Sequence, residues 1–147
     1  MSTILFNTFL AGVPLIIAGL GALLSQKAGV LNIAIEGEML FGAFAATIIG
    51  LVTGSPLLAL LTGILAGVAA AWIHVAAAIG LKANIFISGL GINLLSIGII
   101  PSLSKAITGT RAVLRLPPGF SGAAFTNISG ILLAAATTTG CVVLLYY

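Results

Sequence analysis

Charge is what this sequence has least of. Only 5% of its 147 residues are Asp, Glu, Lys or Arg, against about 25% in a soluble domain. So little polar surface cannot cover a folded chain in water, which excludes an ordinary soluble protein. A single cysteine, Cys141, allows no internal disulfide and no zinc or redox spacing. With one histidine, His74, and two carboxylates, Glu36 and Glu38, no metal-ligand cluster emerges, and no cofactor is expected. No Gly-x-x-x-x-Gly-Lys-Ser/Thr loop is present, which excludes ATP hydrolysis by that route. Neither a Ser/His/Asp constellation nor a nucleophile elbow appears, so the chain does not read as an enzyme. The five cations, Lys27, Lys82, Lys105, Arg111 and Arg115, are scattered between apolar runs, and a net charge of +3 is no nucleic-acid signal.

What the sequence does have is hydrocarbon: 61% of its residues are hydrophobic. A membrane-crossing helix needs about 20 apolar residues at about 1.5 Å rise each. Five such stretches can be cut, at 3–24, 30–52, 57–79, 85–100 and 128–147. The first lacks a preceding basic segment and is too long for a signal-peptide core, so it reads as a retained span. Lipid cannot satisfy backbone polar groups, which leaves helices or a closed barrel. Barrel strands alternate apolar and polar residues, whereas runs such as Leu57-Leu58-Ala59-Leu60-Leu61 are continuously apolar. The expected fold is an all-α, polytopic transmembrane helix bundle of about five segments in one domain, 1–147, with the second helix weakened near Gly37. Pro14 lies inside the first span and Trp72 is expected at a membrane–water interface. Gly63 and Gly67, like Gly50 and Gly54, have the small-xxx-small spacing of close helix packing. The pairs Gly19/Gly21 and Gly89/Gly91 lack the third glycine and the strand context of a dinucleotide fingerprint.

Polar side chains inside apolar runs are the candidates for function, because a carboxylate there costs about 2.5–3.5 kcal/mol on insertion scales. The strongest stretch is Gly29-Val-Leu-Asn32-Ile-Ala-Ile-Glu36-Gly37-Glu38. If helical, it puts Asn32 and Glu36 on one face and turns Glu38 away. The alternative is an interfacial start with the acids near headgroups. On the fourth segment, Asn84 and Ser88 share one face, and Gly89, Asn93 and Ser96 another. These groups either line a polar path or join helices by hydrogen bonds. A lone His74 is a weak proton-relay candidate, and a hydrogen bond to a neighbour is its expected role.

Two stretches carry a resemblance. Ala28-Gly-Val-Leu-Asn32-Ile-Ala-Ile-Glu36-Gly37 matches the pattern A-G-V-x-N-I-x-x-E-G in full. Lys82-Ala-Asn84-Ile-Phe-Ile-Ser88-Gly89-Leu-Gly-Ile-Asn93-Leu-Leu is similar to K-A-N-x-x-x-S-G-L-x-x-N-x-L. Both resemble the permease subunits of ATP-binding-cassette importers for nucleosides and simple sugars, in the group that includes ribose and branched-chain amino-acid permeases.

That resemblance implies a multi-pass protein of the cytoplasmic membrane that pairs with a second permease subunit. It implies cytoplasmic ATPase subunits and an external solute-binding protein as further partners. Such permeases are about twice this length, so the chain is expected to be an N-terminal half, without the coupling helix that meets the ATPase. Lys27 and Lys82 then face the cytoplasm, and the loop 102–127 faces outward. The substrate path is expected to use Asn32, Glu36, Ser88 and Asn93, with Gly37, Gly63, Gly67 and Gly89 as packing or break points. An ion-coupled secondary transporter and a non-transporting membrane scaffold are the alternatives.

Overall fold

The computed structural model describes residues 2–109, and the expected fifth span, the loop cations Arg111 and Arg115, and Cys141 lie outside them. Four α-helices run in sequence, with no strand among the described residues: α1 (Ser2–Lys27), α2 (Ile35–Thr53), α3 (Pro56–Val75) and α4 (Ile85–Thr108). The chain separates into two compact units. Residues 2–31, with α1, belong to one, and 32–109, with α2, α3 and α4, to the other.

Local chemistry sets the helix ends. Pro14 sits inside α1 without ending it, as membrane helices tolerate. α1 stops at Gly29, whose φ of +86° is a left-handed conformation suited to glycine. Gly29 N–H donates to Gln26 O and Val30 N–H to Ser25 O, the paired bonds that close a helix C-terminus. Thr53-Gly-Ser-Pro56 works as stop and start together. Gly54, at φ +65°, ends α2, the Ser55 hydroxyl accepts from Leu58 N–H, and Pro56 takes the first position of α3. α3 closes through a π turn, Ala76–Gly80, after which Lys82 adopts φ +53°. Asn84 then caps α4, its Oδ1 accepting from Phe86 and Ile87 N–H.

Two boundaries differ from the sequence expectation. The second segment is helical only from Ile35, so its interruption lies just ahead of Gly37, and the helix runs through that glycine. α4 does not stop near Pro101 but continues through it to Thr108, placing Lys105 in its last turn. Proline removes one backbone donor, the one the Ile97 carbonyl would accept from, and strains one turn, a break that membrane helices tolerate.

The packing is inverted relative to a protein in water. Among the described residues the buried ones are small or polar: Ala34, Gly37, Gly50, Ala59, Ala70, His74, Gly89, Ser96 and Ser104, with Ile92 the one large aliphatic of that set. Large apolar side chains point outward, including Leu57, Leu65, Ile87 and Leu94, and Trp72 is 70% exposed. In water each such side chain forgoes about 1.5–3 kcal/mol of burial, whereas in hydrocarbon it forgoes none. α2, α3 and α4 are each long and apolar enough to cross a membrane, while the apolar stretch of α1, Ala11–Lys27, is shorter.

Without a hydrophobic force between helices, close contact must come from small residues. α2 packs against both α3 and α4, which touch each other sparsely. A Cβ added to Gly42 would lie 3.0 Å from the Gly63 carbonyl oxygen, and one on Gly63 would lie 3.1 Å from both Gly42 O and Ala46 Cβ. Gly67 faces the Glu38 carbonyl, 3.7 Å from such a Cβ. Gly42→Leu is expected to force α2 from α3 and lower stability by about 1–3 kcal/mol. Gly98→Ala, whose added methyl meets nothing within 4 Å, is expected to gain about 1 kcal/mol of helix propensity. Thermal unfolding in detergent checks the two opposite signs.

Candidate functional site

The first turn of a helix leaves backbone N–H groups without partners, and in an apolar solvent that is costly. Ala34, at the start of α2, has no side chain to supply a cap. The deficit is met from two directions. Asn32 Oδ1 accepts from Ala34 N–H at 2.9 Å, a local Asx turn. Asn93 reaches over from α4, its Oδ1 accepting from Gly37 N–H at 2.8 Å. The same amide donates through Nδ2 to the Ile33 carbonyl at 3.0 Å. One side chain of α4 therefore holds both the non-helical approach to α2 and its first turn.

Glycines allow that approach. A Cβ on Gly37 would lie 2.9 Å from Asn93 Oδ1 and from the Ile92 carbonyl oxygen. A Cβ on Gly89 would lie 2.9 Å from Ile33 Cβ and 3.1 Å from Ala34 N. The two sequence motifs thus meet backbone to backbone.

The structure regroups the candidates. Asn32 precedes α2, so it does not share a helical face with Glu36. Its Nδ2 instead donates to both oxygens of Glu38, at 3.1 and 2.9 Å. Glu38, which helical arithmetic turned away from the site, is its half-buried carboxylate. Glu36 is exposed in the first turn of α2, where the helix dipole favours a negative charge. A carboxylate offers about four lone-pair positions, and Asn32 occupies only part of those on Glu38. This end of α2 can accept hydrogen bonds from hydroxyl, amine or amide groups.

Asn84 and Ser88 also separate. The Asn84 side chain is used as a helix cap, while Ser88 Oγ lies 3.0 Å from Nδ1 of His74 on α3. His74 therefore bonds a neighbouring helix, as expected. The residue is 2% exposed, and Nε2 has no hydrogen-bond partner among the described residues. Ser96, fully buried, donates to Asn93 O within its own helix. Among the described residues no group of three potential metal ligands occurs.

Residues 4–147 match the family described as branched-chain amino acid transport system / permease component. The chain belongs to that family. It is 36% identical over 126 residues to the guanosine ABC transporter permease protein of Bacillus subtilis (strain 168), covering 82% of this chain and 40% of the relative. A putative glucose ABC transporter permease of Haloferax volcanii is 44% identical over 92 residues, 63% of this chain and 28% of that protein. A nucleoside ABC transporter permease of Lactococcus lactis subsp. cremoris is 30% identical over 102 residues, 65% and 32% respectively. The chain thus spans two-fifths or less of the length of these curated relatives, matching their N-terminal part. No solved structure matches it.

In this permease family member, Asn93→Leu is expected to leave the Ile33 carbonyl and Gly37 N–H unpaired, at about 1–3 kcal/mol for each group. Asn93→Asp keeps the acceptor for Gly37 N–H, but a carboxylate also sets an oxygen against the Ile33 carbonyl and adds a part-buried charge. Both variants should therefore melt below the wild type in detergent.

Proposed function

We propose that this chain is the membrane-spanning part of a permease subunit of an ATP-binding-cassette importer that moves a nucleoside or simple sugar across the cytoplasmic membrane. The observation that carries the reading is the meeting of the two family motifs at one polar junction in an otherwise apolar bundle. Relatives named as guanosine, nucleoside and glucose permeases support the solute class, since nucleosides and sugars both present several hydroxyl donors.

In this reading solute passes beside the start of α2. Asn32, Glu36 and Glu38 offer it hydrogen-bonding groups. Ser88 and Asn93 stand behind, because their polar atoms are already engaged with His74 and with the start of α2. The described helices contribute to a single transmembrane domain. A second permease subunit completes the passage, cytoplasmic ATPase subunits drive its alternation, and an external binding protein delivers solute. The subunit itself catalyses no reaction. Lys27 and Lys82 face the cytoplasm.

The test is uptake of radiolabelled guanosine and glucose by cells carrying the full-length permease with its ATPase and binding protein. Uptake of at least one solute is expected, and it should stop when the ATPase is inactivated. Uptake that survives ATPase inactivation and collapses with the ion gradient would instead support an ion-coupled transporter. Glu38→Gln is expected to raise the KM for solute about 10-fold, the loss of one charge-assisted hydrogen bond of about 1.5 kcal/mol.

A further inference from the structure

The corner joining α3 to α4 gathers three unfavourable features within about ten residues. His74 is buried with Nδ1 bonded to Ser88 and Nε2 bonded to no described residue. Immediately after it the helix loosens into a π turn, Ala76–Gly80. Lys82 then takes a left-handed backbone conformation at φ +53°, which disfavours any residue with a Cβ. Each has a ready remedy that the sequence does not use: an apolar residue at 74, a regular helix end, a glycine at 82. Buried unsatisfied groups and sparsely populated backbone conformations are uncommon, and they cluster at active sites, ligand clamps and switch regions.

We propose that His74 is a strain-storing switch at the α3–α4 corner, keeping this packing close in energy to a second one in which α3 and α4 part and Nε2 gains a polar partner. The inference rests on the importer reading only for the use of the second packing, as the other half of a transport cycle. α3 and α4 meet sparsely, and the His74–Ser88 bond joins them at the corner, so breaking that bond lets the helix ends part locally while both helices stay packed along α2. The Ser88 hydroxyl holds one ring nitrogen and sets the orientation of the imidazole. The other nitrogen destabilises the closed form.

Two substitutions across the same hydrogen bond separate this from an ordinary structural contact. If the pair merely glues helices, His74→Leu and Ser88→Ala both lower the melting temperature of the full-length permease. The switch predicts opposite signs. His74→Leu, similar in volume, removes the unpaired nitrogen and frees the Ser88 hydroxyl to bond within its own helix, so the melting temperature rises by about 3 °C. Ser88→Ala leaves both ring nitrogens unpaired and lowers it by a similar amount. In the assembled importer, His74→Leu should also slow solute uptake about 5-fold with KM unchanged, because the closed form is held too firmly.

A second measurement needs no stable leucine variant. Ala70→Cys, one turn before His74 on the same buried face of α3, is labelled with a maleimide in membranes at rest and during ATP turnover, and labelling should rise at least 2-fold on turnover. A fall in melting temperature for both substitutions, or an Ala70→Cys labelling rate insensitive to turnover in an importer that does transport, would overturn the switch. Wild-type uptake in the same membranes reports separately on the importer reading, and the melting temperatures do not depend on it.

Discussion

In hydrocarbon a backbone N–H or C=O has no solvent to turn to, and the start of α2 is where this chain meets that constraint most visibly. A helix that began with Ser or Asp would cap itself. α2 begins with Ala34 and borrows its cap from Asn93, on a helix more than fifty residues further along the chain. The borrowed cap dictates much else. Gly37 and Gly89 must lack side chains for the backbones to come close enough, and Ile33 must turn its carbonyl toward the Asn93 amide. With Ile33 and Gly37 so held, Asn32 is free of the helix and can fold back on Glu38.

The same solvent explains the inverted packing. Leucines and isoleucines gain nothing by hiding from lipid, so the interior goes to residues that make close contact or hydrogen bonds. The crossing of α2 and α3 at Gly42, Gly63 and Gly67 is the first kind, and the buried face of α4, with Gly89, Asn93, Ser96 and Ser104, combines both. Polar groups gathered there serve stability first. What remains free for a solute is the unsatisfied capacity of Glu38 and the exposed carboxylate of Glu36, which narrows the proposed contact to one end of α2.

Much of this was legible in the sequence. Continuous apolar runs gave the helices, Thr53–Pro56 announced a turn whose every residue has a capping role, and the two motifs pointed to the residues that join α2 to α4. Asn32 departs from helical periodicity for a definite reason: residues 30–34 are not helical. Asn32 followed two residues later by Ala34, whose N–H it accepts, is an Asx turn that a reading of turn chemistry would have found. The passage of α4 through Pro101 was hidden because proline reads as a helix stop in a sequence, whereas a membrane-spanning helix tolerates the loss of one backbone donor. That Asn93 caps another helix was not legible at all, since nothing in local spacing says which distant backbone an amide will reach.

The central claim is that hydrocarbon surrounds the large outward side chains while the polar groups of α3 and α4 are kept from water. Site-directed spin labels at Leu57, Leu65, Leu94 and Ile97 of the full-length permease in lipid bilayers test it most directly. Relaxation by dissolved oxygen, which partitions into lipid, is compared with relaxation by a water-soluble nickel chelate. Dominant relaxation by oxygen and little by nickel at these four positions is the predicted result. Strong relaxation by the nickel chelate at all of them would place water where the fold requires lipid, and would contradict the account.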